Sequence, residues 1–255
     1  MEACTLEQKD GLGILHLHAG GANALNQRVL QALKNGLRQA QTANLKGLVL
    51  TGYERFFCAG LDLITMYELN RKQMSRFLED FDIVFKQLFS FPRPIIAAIN
   101  GTATAGGCVL ALACDYRLMN TGKNVIGLSE IKLGLPLPAS ALEIARFSLP
   151  PETITYVLYS GKLFQPEEAL RFGLINEVIA PGQLLETALS RLQEFTEHPG
   201  QACAPLKTAL RSAAIIQMTK TAADMREAFL EAWFSAAARH AVGSIRQALL
   251  EKKRP

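Results

Sequence analysis

The central segment of the chain reads Pro94-Ile95-Ile96-Ala97-Ala98-Ile99-Asn100-Gly101-Thr102-Ala103-Thr104-Ala105-Gly106-Gly107-Cys108-Val109-Leu110-Ala111-Leu112-Ala113-Cys114-Asp115. Its first residues form a short aliphatic run, which is typical of a buried strand. Small residues then open a helix that is apolar on nearly every side, so we expect this helix to be buried with its N-terminus at Gly106-Gly107. A strand that leads into a buried helix favours an α/β fold.

Similar short runs recur along the first two thirds of the chain. Strands are predicted at Gly13–His18, Gly47–Thr51, Pro94–Asn100, Tyr116–Met119 and Leu174–Ile179. Helical patterns lie between them, one from an N-cap at Asn26 to about Ala43 and one over Met66–Phe91. Strands separated by helices predict an α/β core with mostly crossover connections.

After about Ala180 the strand patterns stop and only helical patterns remain. Amphipathic helices are predicted at Gly182–Glu197, Ala204–Met218, Thr221–Arg239 and Val242–Lys252. We therefore expect a β/α core over residues 1–195 and a helical region over residues 196–255. The broad apolar faces of these helices, which carry Phe229 and Trp233, must pack on the chain's own core, on another subunit, or on both.

Composition narrows the class of protein and of ligand. The 255 residues are 49% apolar and 20% charged, which predicts a soluble globular protein with a substantial core. The formal charge of +4 is spread over scattered Lys and Arg, which favours a small anionic ligand over nucleic acid. No apolar run approaches ~20 residues, so no membrane span is expected. The five widely spaced cysteines and the lack of a leader pattern favour a reducing compartment, and a cytoplasmic protein is expected.

Two glycine-containing segments could aim backbone N–H groups at a ligand. Ala59 and Gly60 follow a predicted strand, and small residues there let the main chain come close to a ligand. The same pattern fits a tight turn with a packing glycine. The start of the buried helix at Gly106 would present unpaired N–H groups and a positive dipole end to a developing anion. A glycine pair required for close helix–sheet packing is the alternative there.

One carboxylate stands alone in an apolar setting. Glu130 lies among Ile126, Leu128, Ile131, Leu133 and Leu135. In an apolar pocket its pKa would rise toward the working range of a general base, whereas an ordinary surface glutamate would face solvent.

Two further patterns have a functional and a structural interpretation. His16 and His18 share one face of a predicted strand and could bind a metal, but no third ligand has matching spacing, so a surface pair is favoured and no metal site is expected. Cys58 and Cys108 flank the proposed donors and could act as nucleophiles, but no histidine lies near them in sequence. Buried packing cysteines are favoured.

Taken together, the motifs resemble the enoyl-CoA hydratase/isomerase (crotonase) superfamily over nearly the whole chain. The segments that carry the resemblance are Asn23-Ala24-Leu25-Asn26, Cys58-Ala59-Gly60-Leu61-Asp62, Pro94 to Gly101, Ala105-Gly106-Gly107-Cys108, Cys114-Asp115-Tyr116-Arg117 and Gly161 to Ile175. The resemblance implies a spiral of ββα units with a C-terminal helical trimerisation region. It also implies an acyl-CoA thioester substrate, no cofactor beyond the substrate's coenzyme A, and a homotrimer or a dimer of trimers.

The resemblance also assigns roles to single residues. It implies an oxyanion hole made by the backbone N–H groups of Ala59 and Gly106, and a catalytic base at Glu130. The residues implied to line coenzyme A are Ala24, Ala59, Gly60, Leu61, Asp62 and Gly106. Gly20-Gly21-Ala22 has no basic residue, so phosphate contacts are expected from Arg28, Lys207 or the C-terminal lysines, one of them Lys253.

Val109 separates the reactions known in this superfamily. Its hydratases carry a second glutamate at this position, because a water must be held between two carboxyl groups. Valine cannot hold that water, whereas isomerisation of a 3-enoyl thioester requires one carboxylate. The sequence therefore predicts a Δ3,Δ2-enoyl-CoA isomerase. The alternatives are a hydratase, a hydrolase, a decarboxylase, or a non-catalytic coenzyme-A- or RNA-binding relative.

Overall fold

The structure is a computed structural model that describes residues 3–20, 22–198 and 200–252. The strands are β1 Cys4–Lys9, β2 Leu12–Leu17, β3 Leu48–Thr51, β4 Phe56–Cys58, β5 Ile95–Ile99, β6 Thr102–Thr104, β7 Tyr116–Asn120, β8 Ile126–Gly127 and β9 Glu177–Ile179. The helices are α1 Gln27–Thr42, α2 Leu63–Met66, α3 Arg71–Phe89, α4 Gly106–Ala113, α5 Ala139–Ser148, α6 Pro151–Ser160, α7 Pro166–Arg171, α8 Leu184–Thr196, α9 Cys203–Trp233 and α10 Ala236–Glu251. A 3-10 turn spans Glu130–Leu133.

The strands form two sheets between which the chain alternates. The larger sheet has the order β1-β2-β3-β5-β7-β9, and the smaller has the order β4-β6-β8. Among the strand pairs of the described residues, β1–β2 is antiparallel and the others are parallel. From β3 to β8 each strand of the larger sheet is followed by one of the smaller sheet, and helices return the chain. This repeat is the expected ββα spiral, so the α/β prediction is confirmed.

Local sequence explains where several helices begin and end, and why some predicted bounds differ from those in the structure. Asn26 caps α1 by accepting from the Val29 N–H, as expected. The helix predicted from Met66 begins instead at Arg71, because Asn70 and Gln73 form a reciprocal capping box. The two helices predicted at 204–218 and 221–239 are largely one continuous helix, α9. The predicted boundary at residue 195 falls in the last turn of α8.

Helix α4 lies inside the core along its whole length. All eight of its residues are buried, which agrees with its uniformly apolar sequence. A methyl group added at Gly107 would lie 1.9 Å from the carbonyl oxygen of Cys58, so only glycine lets α4 approach β4 this closely. Packing therefore accounts for the second glycine of the pair, and the N-terminus of α4 lies beside the residues that follow β4.

A cluster of ion pairs between Asp115 of the α/β core and Lys207 and Arg211 of the helical tail connects these two regions. Asp115 accepts hydrogen bonds from Lys207 Nζ at 2.7 Å, from Arg211 Nη2 at 2.8 Å and from the Ile95 N–H at 2.7 Å. The Arg211 guanidinium also lies over the Phe89 ring, 4.1 Å from its centroid. Both cations are buried, so each depends on this carboxylate to offset its desolvation.

Replacing Asp115 with alanine is expected to destabilise the protein strongly. Removal of one member of a buried ion cluster leaves uncompensated charge and costs at least about 3 kcal/mol of unfolding free energy. Chemical denaturation followed by circular dichroism measures this difference. Glu227→Ala is the matched control, since Glu227 also lies on α9 and pairs with Arg71 of α3, but both of these side chains are exposed. The control should lose less than about 1 kcal/mol, and equal losses in both variants would contradict the assignment.

Candidate active site

A cavity of about 290 Å³ opens beside the N-terminus of α4. Its walls come from the residues after β4, from β6 and the 3-10 turn, from helices α2 to α5 and from the tail helices. Most of the lining is apolar and includes Leu61, Leu63, Leu78, Phe81, Val109 and Leu135. Among the described lining residues, Glu130 and Lys132 are the charged ones. The cavity is therefore suited to an apolar group with little competing charge.

Gly60 and Gly106 bring two backbone segments into contact at the cavity wall. Gly60 has a φ of +84°, and a methyl group added there would lie 2.8 Å from the Ala105 Cβ and 3.3 Å from the Gly106 nitrogen. A methyl group added at Gly106 would lie 3.7 Å from the Gly60 Cα. Both the dihedral angle and the close approach require glycine at position 60. The two segments predicted to carry N–H donors are therefore adjacent.

Hydrogen bonds show which N–H groups of the first segment are already used. The Ala59 N–H donates to the Ala22 carbonyl at 3.0 Å, and the Gly60 N–H is directed at the Cys58 thiol. The Gly60 carbonyl accepts from the Leu25 N–H at 2.7 Å. Since the C=O and N–H of a trans peptide point in opposite directions, the Leu61 N–H points away from Leu25.

Within the described part of the chain, no acceptor is bonded to the Leu61 N–H. The prediction that Ala59 donates to substrate is not supported, because its N–H is engaged by the protein itself. The available donor lies two residues later, at Leu61. Residue types could not show this, because the choice depends on how residues 59–62 pair with residue 25.

The second donor segment has an unusual backbone. Ala105, the residue before α4, has φ 52° and ψ −125°, and no side chain caps the helix. The Ala105 N–H is anchored to the Gly127 carbonyl at 2.8 Å. A non-glycine residue at positive φ is strained, and such strain is common at functional sites. The uncapped N-terminus of α4, with Gly106 as its first residue, therefore lies at the cavity with its positive dipole end.

Glu130 begins the 3-10 turn and lines the same cavity. Burial raises the pKa of its carboxyl group to about 7, although nearby backbone N–H groups of Ser129 and Glu130 oppose that rise. Among the described residues, its Oε2 has no hydrogen-bond partner. An ordinary surface glutamate would have neither property, so that alternative is excluded. The carboxyl can exchange a proton near neutral pH.

Val109 is fully buried and lines the cavity three residues after Gly106 on α4. No second carboxylate is found among the described lining residues. As far as the described residues show, the site therefore combines one titrating acid with two backbone segments and lacks a second carboxyl group to hold a water.

The other predicted coenzyme-A-lining residues have clear structural roles. Asp62 caps α2 by accepting from the Thr65 N–H and also accepts from Asn26 Nδ2 at 3.2 Å. Ala24 is next to Leu25, which bonds to the Gly60 carbonyl, but Ala24 is not among the residues that line the cavity. Whether these residues also contact coenzyme A stays a prediction.

For three cavity residues, no sequence pattern predicted a place in the cavity wall. Phe229 of α9 and Ile245 of α10 line the cavity, so the tail packs on its own core at this point. Thr104 also lines it, and its hydroxyl donates to the Ala59 carbonyl at 3.2 Å. An apolar tail residue shows only that it is buried, not what it is buried against.

The candidates for phosphate contacts differ in accessibility. Lys207 is buried in the Asp115 cluster, so the prediction that it contacts phosphate is wrong. Arg28 is exposed and donates to the Ala19 carbonyl at 2.8 Å. Lys252 is exposed after the end of α10, and Lys253 lies outside the described residues. Arg28 and Lys252 therefore stay as candidates.

The alternative chemistries receive no support from the site. His16 contacts Glu7 at 3.1 Å and His18 contacts Thr5 at 2.9 Å, and no metal-binding group of three His, Cys, Asp or Glu occurs in the described chain. Burial raises the pKa of Cys58 to about 12 and also raises that of Cys108, which disfavours a reactive thiolate at either residue.

Nor does any described helix have the length and apolarity that crossing a membrane requires.

Comparison with known proteins gives a consistent result. The family model described as "Enoyl-CoA hydratase/isomerase" matches residues 7–255. Enoyl-CoA delta isomerase 1, mitochondrial, of Rattus norvegicus is 29% identical over 250 residues, covering 96% of this chain and 85% of that protein. A probable enoyl-CoA hydratase of Bacillus subtilis (strain 168) is 31% identical over 259 residues, covering 100% of this chain and 98% of that protein.

Solved structures agree on the fold. The human mitochondrial Δ3-Δ2-enoyl-CoA isomerase superimposes with a TM-score of 0.89 at 24% identity, covering 99% of this chain and 100% of that one. An enoyl-CoA hydratase/isomerase family protein from Pseudomonas syringae gives a TM-score of 0.84 at 25% identity, covering 89% and 98%. Since the family model spans almost the entire sequence and relatives match over its full length, this chain belongs to the enoyl-CoA hydratase/isomerase family.

Proposed function

We propose that this enzyme isomerises 3-enoyl-CoA to 2-trans-enoyl-CoA with Glu130 as its single base, and that it needs no cofactor beyond the coenzyme A of its substrate. The observation that carries the proposal is that Glu130 is the one carboxylate among the described lining residues, while the cavity residue Val109, which the resemblance aligns with the second glutamate of hydratases, is apolar. The similar proteins include isomerases and hydratases, so the cavity chemistry is the basis for choosing between them.

Backbone N–H groups would hold the substrate's thioester oxygen. The Leu61 N–H and the Gly106 N–H come from adjacent segments at the cavity wall, and we propose both as donors. Fixed donors in an apolar cavity stabilise a developing negative charge more than water does, because they need no reorganisation. The dipole of α4 adds to this effect at Gly106. The thioester would then be polarised where Glu130 can reach its α-carbon.

Glu130 would move one proton between two carbons of the acyl group. Its carboxylate removes a proton from C2, and the C2–H electron pair forms a dienolate whose charge reaches the thioester oxygen. The protonated carboxyl then returns the same proton to C4, and the double bond lies between C2 and C3. No atom is gained or lost, so a single carboxyl completes the reaction and is regenerated. The raised pKa favours both steps because the group is a base and then an acid.

Replacing Glu130 with glutamine is expected to lower kcat on a 3-enoyl-CoA by at least ~10²-fold, since a positioned general base contributes roughly that much. Conversion to the conjugated 2-enoyl-CoA is followed by its ultraviolet absorption. Glu152→Gln is the control, because Glu152 is exposed in the first turn of α6 and should leave kcat unchanged. Unchanged turnover of every acyl-CoA tested in Glu130→Gln would favour a non-catalytic coenzyme-A- or RNA-binding relative.

The reaction type is tested by comparing substrates. We expect kcat/KM for isomerisation of 3-enoyl-CoA to exceed that for hydration of 2-enoyl-CoA by at least ~10²-fold, because no second carboxyl holds a water. The same preparations are assayed for release of free coenzyme A and of carbon dioxide. Faster hydration would establish a hydratase, and faster release of either product would establish a hydrolase or a decarboxylase.

The activity should depend on pH through the Glu130 pKa of about 7. The base acts as a carboxylate, so kcat/KM should be low below this pKa, rise as the pH increases through about 7, and level off above it. A pH profile of kcat/KM measures the midpoint. A profile that stays flat from pH 5 to about 8 would be inconsistent with a base of this pKa.

Titration of the Glu130 carboxyl should also change the free energy of unfolding with pH. The folded pKa is raised, so the unfolded chain loses the proton first and the wild-type protein becomes less stable as pH rises from about 4.5 to about 7. Glu130→Gln lacks this titration. Its unfolding free energy relative to wild type should therefore increase across that window, by up to about 3 kcal/mol. Denaturant titrations at pH 4.5 and pH 8 test this, and a constant difference would contradict it.

We also propose that the protein is cytoplasmic and forms a homotrimer or a dimer of trimers. Supporting this, Leu206 and Leu210 are 61% and 70% exposed four residues apart on α9, so they share a helix face. Exposed apolar faces of this kind favour association. Light scattering should give three or six times the 27.9 kDa chain mass, and a monomer would exclude the assembly.

A further inference from the structure

We propose that Thr104 is a positioning residue that sets the separation and orientation of the two oxyanion donors. The inference rests on the proposed function, because it concerns the N–H groups of Leu61 and Gly106. Thr104 need not react with substrate. It acts through the Ala59 carbonyl, to which its hydroxyl donates at 3.2 Å.

Thr104 joins the two segments that carry the donors. It is the last residue of β6, and Ala105 and Gly106 follow it directly into α4. Its side chain reaches Ala59, two residues before Leu61. Strand pairing between β4 and β6 ends at Cys58. Within the described chain, the hydroxyl makes the hydrogen bond that connects residues 59–62 to residues 104–106.

The remaining hydrogen bonds of the first segment hold it to a different part of the protein. The Ala59 N–H and the Gly60 carbonyl bond to Ala22 and Leu25, which precede α1. Those bonds set the direction of the Leu61 N–H, but they do not connect it to α4. The distance from the Leu61 donor to the Gly106 donor therefore depends on van der Waals contact at Gly60 and on the Thr104 hydroxyl.

Gly60 makes this connection necessary. It has no Cβ and lies at φ +84°, so the peptide between Ala59 and Gly60 has more conformational freedom than a peptide between two non-glycine residues. Ala59 and Thr104 both line the cavity. A carbonyl oxygen released from the hydroxyl could turn toward the cavity, where it would repel the developing oxyanion. The hydroxyl thus holds the peptide in the orientation that leaves only N–H groups facing the substrate oxygen.

Thr104→Val tests the proposal, because valine has a similar shape and lacks the hydroxyl. We expect kcat to fall at least about 10-fold with less than about a twofold change in KM, since small misplacement of catalytic groups costs rate rather than binding. Thr104→Ser keeps a hydroxyl and should restore most of kcat. Thr104→Ala is measured as well, so that the test does not depend on the folding of one variant.

Thr51→Val is the matched control. The Thr51 hydroxyl also donates to a backbone carbonyl, that of Ala98 at 2.9 Å, but Thr51 does not line the cavity. This variant should lose a comparable hydrogen bond and leave kcat unchanged. Thermal unfolding of all variants separates loss of folded protein from loss of rate.

A spectroscopic readout reports the donors directly. We would use an arylpropenoyl-CoA with a para-amino group, whose absorption moves to longer wavelength when its thioester carbonyl is polarised. Wild type, Thr51→Val and Glu130→Gln should all produce this red shift on binding, because none loses a donor. Thr104→Val should lose most of the shift, and Thr104→Ser should keep it.

The outcomes separate the two proposals. No red shift in wild type would overturn the oxyanion hole of the proposed function. A normal shift and normal kcat in Thr104→Val would overturn only the role of Thr104. Equal losses in Thr104→Ser and Thr104→Val would also overturn it, because the hydroxyl would then not be the acting group.

Discussion

The contact between the backbones of Gly60 and Gly106 is the constraint on which the site depends. It requires α4 to start at the cavity and to lie deep in the core, which its apolar sequence allows. It also requires β4 to approach α4 at Gly107, where any side chain would clash with the Cys58 carbonyl. Because interiors are close-packed, these glycines act together: each removes a side chain that would separate the two N–H groups.

The cavity combines two opposing electrostatic demands. Its apolar walls raise the pKa of the Glu130 carboxyl, which makes the ionised enzyme less stable, and they also strengthen backbone dipoles directed at a substrate oxygen. A more polar cavity would relieve the first effect and weaken the second. By contrast, the buried cations Lys207 and Arg211 are neutralised within the fold by Asp115. The Glu130 oxygen Oε2 has no hydrogen-bond partner among the described residues.

Sequence patterns were sufficient for five of the six strands of the large sheet, the N-cap at Asn26 and the buried α4, because periodicity and capping are local properties. They missed the edge strand β1, and they missed β4, β6 and β8, which have two or three residues each and no periodicity to detect. They favoured Ala59 as a donor, whereas the pairing of Leu25 with residues 60–62 leaves Leu61 available. Donor direction, the burial of Lys207 and the contribution of Phe229 to the cavity all arise from contacts between distant segments, which no local pattern contains.

The tail completes the cavity of its own chain through Phe229 and Ile245, while Glu130, the proposed base, and the two proposed donor segments all come from the α/β core. One part of the cavity wall is thus encoded in a stretch of the polypeptide separate from Glu130 and the donor segments, although core residues such as Leu78 and Phe81 form other parts of that wall. Sequence drift in the last two helices can therefore broaden or narrow the range of accepted acyl groups while the chemistry is inherited unchanged. In proteins built this way, substitutions in the tail can change which substrates are preferred, while selection acts separately on the residues that carry out the chemistry.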